Sequence, residues 1–240
     1  MLTVGVDLAA ADERTALAVL EWESGRATVR ELHFGVDDAA IVDAVAASDK
    51  AGIDCALGWP EPFTRMIVAH GEGRPVVGSG AAWRRSMVYR TTDEVIRATI
   101  PGLIPLSVSA DRLAHAAMRC AALLSTLAAR GVDVDRSGAG RIVEAYPSAS
   151  LLRWGLTHRG YKGKSSVPVG ALLAAAPWLG LGAFEPLMRG SHDAFDSVIA
   201  ALTARAAALG LVTRPAPEQL RLARIEGWIA VPTAPLRDLP

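Results

Sequence analysis

The order of elements in the first quarter of the chain limits its fold more than any other feature. Three apolar runs come first, joined by short polar links: LTVGVDL at Leu2–Leu8, TALAVLEW at Thr15–Trp22 and ATVRELHF at Ala27–Phe34. Glu23-Ser24-Gly25-Arg26, between the second and third, is a hairpin signal. Asp37 and Asp38 then open an Ala/Val/Ile-rich helix to about Ala47, where their charge suits the positive end of the helix dipole. A fourth strand follows, Gly52–Leu57, stopped by Gly58-Trp59-Pro60. Short links make neighbouring strands antiparallel, whereas a helical crossover brings the fourth strand in parallel. A uniform alternation of strand and helix is excluded, and a mixed α/β sheet is expected.

Further along, Gly58 to Pro105 reads as a long irregular segment inserted after strand four; long segments of this kind carry function more often than not. It holds GEGRPVVGSGAAWRRSMVYR and then Thr91-Thr92-Asp93-Glu94, which resembles a helix cap. Ser109-Ala110-Asp111 caps a long helix closed by Gly131. Arg141–Tyr146 (RIVEAY) is the fifth strand, ended by Pro147 at a helix N1 position. Gly160 to Val169 is a loop bearing Lys162 and Lys164, Ser191 caps the last long helix, and Gly227–Pro232 suggests a short edge strand. At 240 residues, half of them hydrophobic, the chain is expected to form one domain with a substantial core.

The 25 basic and 25 acidic residues balance, which argues against a dedicated histone-like nucleic-acid binder but leaves room for a local basic groove. Cys55 and Cys120 are too few for a disulfide framework. The chain enters its first strand without a signal-peptide pattern, and its apolar stretches are too short to span a membrane. A cytoplasmic protein is expected.

Five acidic residues carry the chemistry. Asp7 ends strand one, Asp54 lies in apolar strand four, Glu144 in strand five, and Asp193 and Asp196 in the first turns of the last helix. A bare carboxylate is costly to bury unless it is paired or bound to a cation. Several oxygen ligands at one sheet edge suit Mg²⁺ or Mn²⁺, and such ions support phosphodiester hydrolysis. Each residue also has a plainer reading: Asp7 as a strand end, Asp54 as a hydrogen-bonded buried acid, Glu144 as a strand-end charge, Asp193 as a helix-dipole residue. Asp196 is harder to explain away. At i and i+3, Asp193 and Asp196 share a helix face that continues through small residues, Ala200, Thr203 or Ala204, and Ala207. Such a face lets the helix lie close to the sheet.

Among other residues, Arg84, Arg85 and Arg90 alternate with Trp83 and Tyr89, a pattern suited either to phosphate contact with base stacking or to a solvated loop. Lys162 and Lys164, with Arg153 and Arg159, offer a second basic wall or simply solvated charge. His192, beside Asp193, could orient a water. The remaining histidines lack metal-ligand spacing, and no phosphate-loop motif occurs.

Several blocks together resemble a known family. VGVDLA, IDCALGWP, RTTD, VEAYP and HDAFDSVIAALTAR followed by EGWIAVP are similar to domain-of-unknown-function family 429, described as predicted nucleases with an RNase H fold. More remotely, Asp7 with HDAFD is similar to the RuvC-type Holliday-junction resolvases. The resemblance implies an RNase H-like sheet of three antiparallel strands extended by parallel ones, five in all. It also implies a metal site from Asp7, Asp54 and Asp193 with Asp196 as fourth ligand, and RTTD (Arg90, Thr92, Asp93) as a functional motif. Arg85 and Lys162 are further candidates for substrate contact, and nucleic acid is the expected substrate. Cys55-Ala56 stands where the family usually has Ala-Pro, which loosens one motif.

Two other function classes fit the same elements. A non-catalytic interaction module would keep the fold without chemistry. An actin- or sugar-kinase-like nucleotide binder usually has glycine after the strand-one aspartate to admit phosphate; here Leu8-Ala9-Ala10 follows.

Overall fold

The computed structural model describes residues 1–162 and 167–240, so Lys164 lies outside the described residues. Strands β1 (Leu2–Asp7), β2 (Ala16–Glu23) and β3 (Arg26–Phe34) form the expected antiparallel meander. Ser24 and Gly25 join β2 to β3 with positive φ at both residues, 48° and 76°. This is the two-residue hairpin geometry whose twist matches the flanking strands. Helix α1 (Asp38–Ala47) is capped as expected, the Asp37 carboxylate accepting from Ala40 N at 2.9 Å. It returns the chain to β4 (Lys50–Asp54), parallel to β1, and β5 (Ile142–Glu144) adds in parallel to β4.

Among the described residues the sheet has six strands rather than five, in the order β5-β4-β1-β2-β3-β6. The extra strand, β6 (Leu179–Gly180), pairs in parallel with β3; at two residues it is too short to show alternation. Gly227–Pro232 forms isolated bridges only, Ile229 beside Glu144 and Pro232 beside Val212.

The segment expected to be irregular after strand four is largely helical: α2 (Glu61–Gly71), α3 (Gly80–Val88) and α4 (Thr91–Thr99). Their periodicity is masked by glycine and proline between the helices. Beyond them lie α5 (Ala114–Ala129), α6 (Pro147–Arg153), α7 (Val169–Ala175), α8 (Glu185–Gly190), α9 (His192–Ala208) and α10 (Leu220–Glu226). Among the described residues no helix is long and apolar enough to cross a membrane.

Side chains alternate along β1 and β4, and each face has its own cover. Val4, Val6, Ala51 and Ile53 pack with α1 and α5, where Ile41, Val45, Cys120 and Leu127 are fully buried. The opposite face carries α9, whose Phe195, Val198, Ile199 and Leu202 pack over β2 and β3. Gly5 and Gly52, register partners on β1 and β4, also face α9. A Cβ on Gly5 would lie 1.9 Å from Ser197 O, and one on Gly52 would lie 2.4 Å from Ala200 O. The helix backbone therefore rests directly on the two glycines, the close approach that its small-residue face allows.

Candidate metal centre

This close approach sets the site. Asp7 and Asp54 are register partners, each two residues beyond its glycine and so on the same α9-facing side. Two strand steps cover about 6.6 Å. One helical turn, from Ala200 back to Asp196, covers about 6 Å. With Ala200 held at the glycines, Asp196 falls over the Asp7–Asp54 pair. One carboxylate oxygen from each of Asp7, Asp54 and Asp196 lies within 4.8 Å of the others.

Asp196 is fully buried, whereas Asp7 and Asp54 keep partial access to solvent. Tyr161 OH donates to Asp196 Oδ1 at 2.8 Å and fixes the carboxylate's orientation. Lys162 Nζ stands 2.5 Å from Asp196 Oδ2 and compensates its charge. Burial raises the Asp54 pKa to about 7; Lys162 opposes the rise, while Asp196 and Glu144 add to it. Asp7 is pushed well above the usual carboxylate range by burial and then by Asp54 and Asp196. Asp196 is raised by burial, with Lys162 and Tyr161 working against the shift. The donor set fits a hard divalent cation: all-oxygen ligands from three elements, and like charges held at close range.

Asp193 does not join this group of three. It sits one turn nearer solvent, 2.7 Å from His192 Nδ1 without hydrogen-bond alignment and 3.4 Å from Arg14 Nε. Of the i, i+3 pair, Asp196 is thus the inner ligand candidate and Asp193 the peripheral one, reversing the order the resemblance implied.

Glu144 also stands apart, and register explains why. It pairs with Ile53, not Asp54, so alternation turns its side chain to the other face of the sheet. There Arg90 grips it bidentately, Nη1 and Nη2 each at 2.7 Å, and Leu57 N donates to it at 3.1 Å. Arg90 Nη2 also donates to Asp93 Oδ1 at 2.9 Å, and the three side chains are at most 4% exposed. Thr92, likewise buried, accepts from Ile229 N at 3.0 Å. Arg90, Thr92 and Asp93 therefore form a buried brace, whose Arg90 also lines the cleft that reaches Asp54. Arg85 lies on the surface of α3, paired with Glu94 at 2.8 Å and away from the three carboxylates. Lys162, by contrast, belongs to the cluster itself.

A cleft of about 250 Å³ opens beside Asp54, walled by Leu8, Cys55, Leu106, Tyr146 and Lys162, and the Arg90–Glu144 pair also reaches its lining. Tyr161, Gly5, Gly52 and Arg14 also belong to the site or its support, and no motif in the sequence marks them as such. Only the glycines left a trace, as small residues two positions before each strand aspartate.

Fold and site together define an α/β domain with a candidate carboxylate metal centre where its central strands meet one long helix. The family model for proteins of unknown function DUF429 matches residues 5–220, and the chain belongs to that family. No curated protein and no solved structure gives a significant match.

Proposed function

We propose that this protein is a metal-dependent phosphodiesterase acting on nucleic acid, with an RNase H-like arrangement of its sheet. The observation that carries the reading is the convergence of Asp7, Asp54 and Asp196, from β1, β4 and α9, on one point. The three carboxylates would hold Mg²⁺ or Mn²⁺, which when bound supplies water activation and stabilisation of the leaving oxygen. Tyr161 keeps Asp196 in its ligating orientation. Lys162, about half exposed, can turn its ammonium from Asp196 towards a phosphate oxygen. Arg14, mostly exposed beside Asp193, adds a second cation at the rim for the sugar-phosphate chain. The resemblance of VGVDLA and HDAFD to nuclease-type motifs supports the same chemistry.

A non-catalytic module is the second reading. It is favoured by the Lys162–Asp196 pair, which gives the carboxylates a counter-charge of their own. Titration of Mn²⁺ and Mg²⁺ into wild type, Asp7→Asn and Asp196→Asn separates the two, with cleavage assayed on single-stranded, duplex and branched DNA and RNA. The nuclease reading expects metal binding and cleavage, both lost in each variant. No metal binding at millimolar concentration, with no cleavage of any substrate, would leave the module.

A further inference from the structure

A second cavity, larger than the cleft beside Asp54 at about 730 Å³, opens at the opposite end of the sheet. Lys50 begins β4 and Asp54 ends it, so four strand steps, about 13 Å, separate this cavity from the carboxylates. Its lining includes the apolar Ala207, Val212, Pro215 and Trp228. It also includes three cations, Lys50, Arg141 and Arg214, and two carboxylates, Asp49 and Asp133.

The lining carries several hydrogen-bond donors. Lys50 is buried, and its ammonium donates to two backbone carbonyls, Gly138 O at 3.1 Å and Gly140 O. Burial lowers its pKa and nearby Arg214 lowers it further, against the opposing pull of Asp133. Trp228 Nε1 is buried without a hydrogen-bond partner among the described residues, while Ser137 sits against Asp135, to which its backbone N–H donates at 2.8 Å. Buried polar atoms are normally satisfied, so an orphaned N–H on a cavity-lining residue points to a missing acceptor. Asp49 accepts from Leu2 N at 2.7 Å, Asp133 accepts from Asp135 N at 3.0 Å, and Arg141 Nη1 donates to Ala46 O at 2.7 Å. At the nearby end of α9, Ala206 O and Ala207 O are taken up by Leu211 N and Gly210 N, which blunts the negative end of that helix.

We propose that this cavity binds a small phosphorylated molecule, its phosphate between Lys50 and Arg214 and its body against Val212, Pro215 and Trp228. Lysine and arginine suit phosphate as point charge and as planar fork. The site is independent of the carboxylates and would exist whether or not the protein is a nuclease.

Calorimetric titration in EDTA tests it, because chelation removes metal-dependent binding at the other end of the sheet. Adenosine monophosphate supplies a phosphate and a flat apolar body; inorganic phosphate and adenosine supply each part alone. Adenosine monophosphate should bind more tightly than either. Arg214→Glu, at an exposed position, should weaken it by about tenfold or more. Trp228→Phe, which keeps the ring and removes the N–H, should weaken it by a smaller factor, and Asp7→Asn should leave it unchanged. Absence of binding to folded wild type at millimolar ligand would make the cavity a solvated groove and overturn the proposal. Equal affinity in Arg214→Glu, or loss in Asp7→Asn, would overturn it as well.

Discussion

At the scale of single residues, two glycines and one aspartate matter most. Gly5 and Gly52 have extended backbones that other residues could adopt; what forbids a side chain is the α9 backbone pressed against them. Gly5→Ala and Gly52→Ala should each destabilise the fold by about 2 kcal/mol or more, through forced separation of helix and sheet. They should also weaken Mn²⁺ binding, since lifting α9 moves Asp196 from its partners. Denaturant unfolding and metal titration of the same variants check both effects; a stable glycine variant with unchanged metal affinity would contradict this account. Asp54 acts in the opposite sense. Burial and like charge make its ionised form unfavourable, so Asp54→Asn should raise the stability of the metal-free protein by about 1–2 kcal/mol at pH 8. The same change should abolish stabilisation by metal, and thermal melts in EDTA and in Mn²⁺ read the two effects separately.

At the scale of elements, the brace around Arg90 ties α4 to β5. Its guanidinium joins Asp93 of α4 to Glu144 of β5 and also donates to Glu226 O of α10 at 3.2 Å. The Glu226 carboxylate holds two helix starts together, accepting from Glu61 N of α2 at 2.9 Å and Thr91 N of α4 at 2.7 Å. Arg90→Met would leave two buried carboxylates without their cation and should cost about 3–5 kcal/mol. Glu226→Gln keeps the shape but removes the charge from both bonds and should cost about 1–3 kcal/mol. If Arg90 instead served mainly to bind substrate, Arg90→Met would unfold at the wild-type denaturant concentration, an outcome the brace does not permit. The RTTD block was legible as a unit; its role was not, because nothing local reveals that its partners come from residues 144 and 226.

At the scale of the whole molecule, the carboxylates couple stability to pH and to metal. Asp54 titrates at about 7 in the folded protein against an ordinary 3.8, and Asp7 and Asp196 shift in the same direction. Across that window the folded chain holds protons that the unfolded chain has released. Stability of the metal-free protein is therefore greatest below the unfolded value and falls as pH rises through the folded one. Metal binding must displace the same protons, so it becomes more favourable over the same range. The rise in Tm on adding Mn²⁺ should be larger at pH 8 than at pH 6, and equal rises at the two values would argue against a site built on these acids.

What is local follows from neighbouring residues alone: the hairpin at Ser24-Gly25, the caps at Asp37 and Ser191, the mixed order of the first four strands, and the small face of α9. Which acids are available is local too, because a carboxylate in an apolar strand stands out against its neighbours. Tertiary structure alone decided which of them meet. Asp7 and Asp54 converge because β1 and β4 pair in a register that also aligns Gly5 with Gly52. Asp196 rather than Asp193 completes the group because α9 rests on those glycines one turn further along. Glu144 is excluded because its register partner is Ile53, and a difference of one residue in a strand turns a side chain to the other face. Register and helix contact depend on residues far apart in the chain, and no window of sequence contains them.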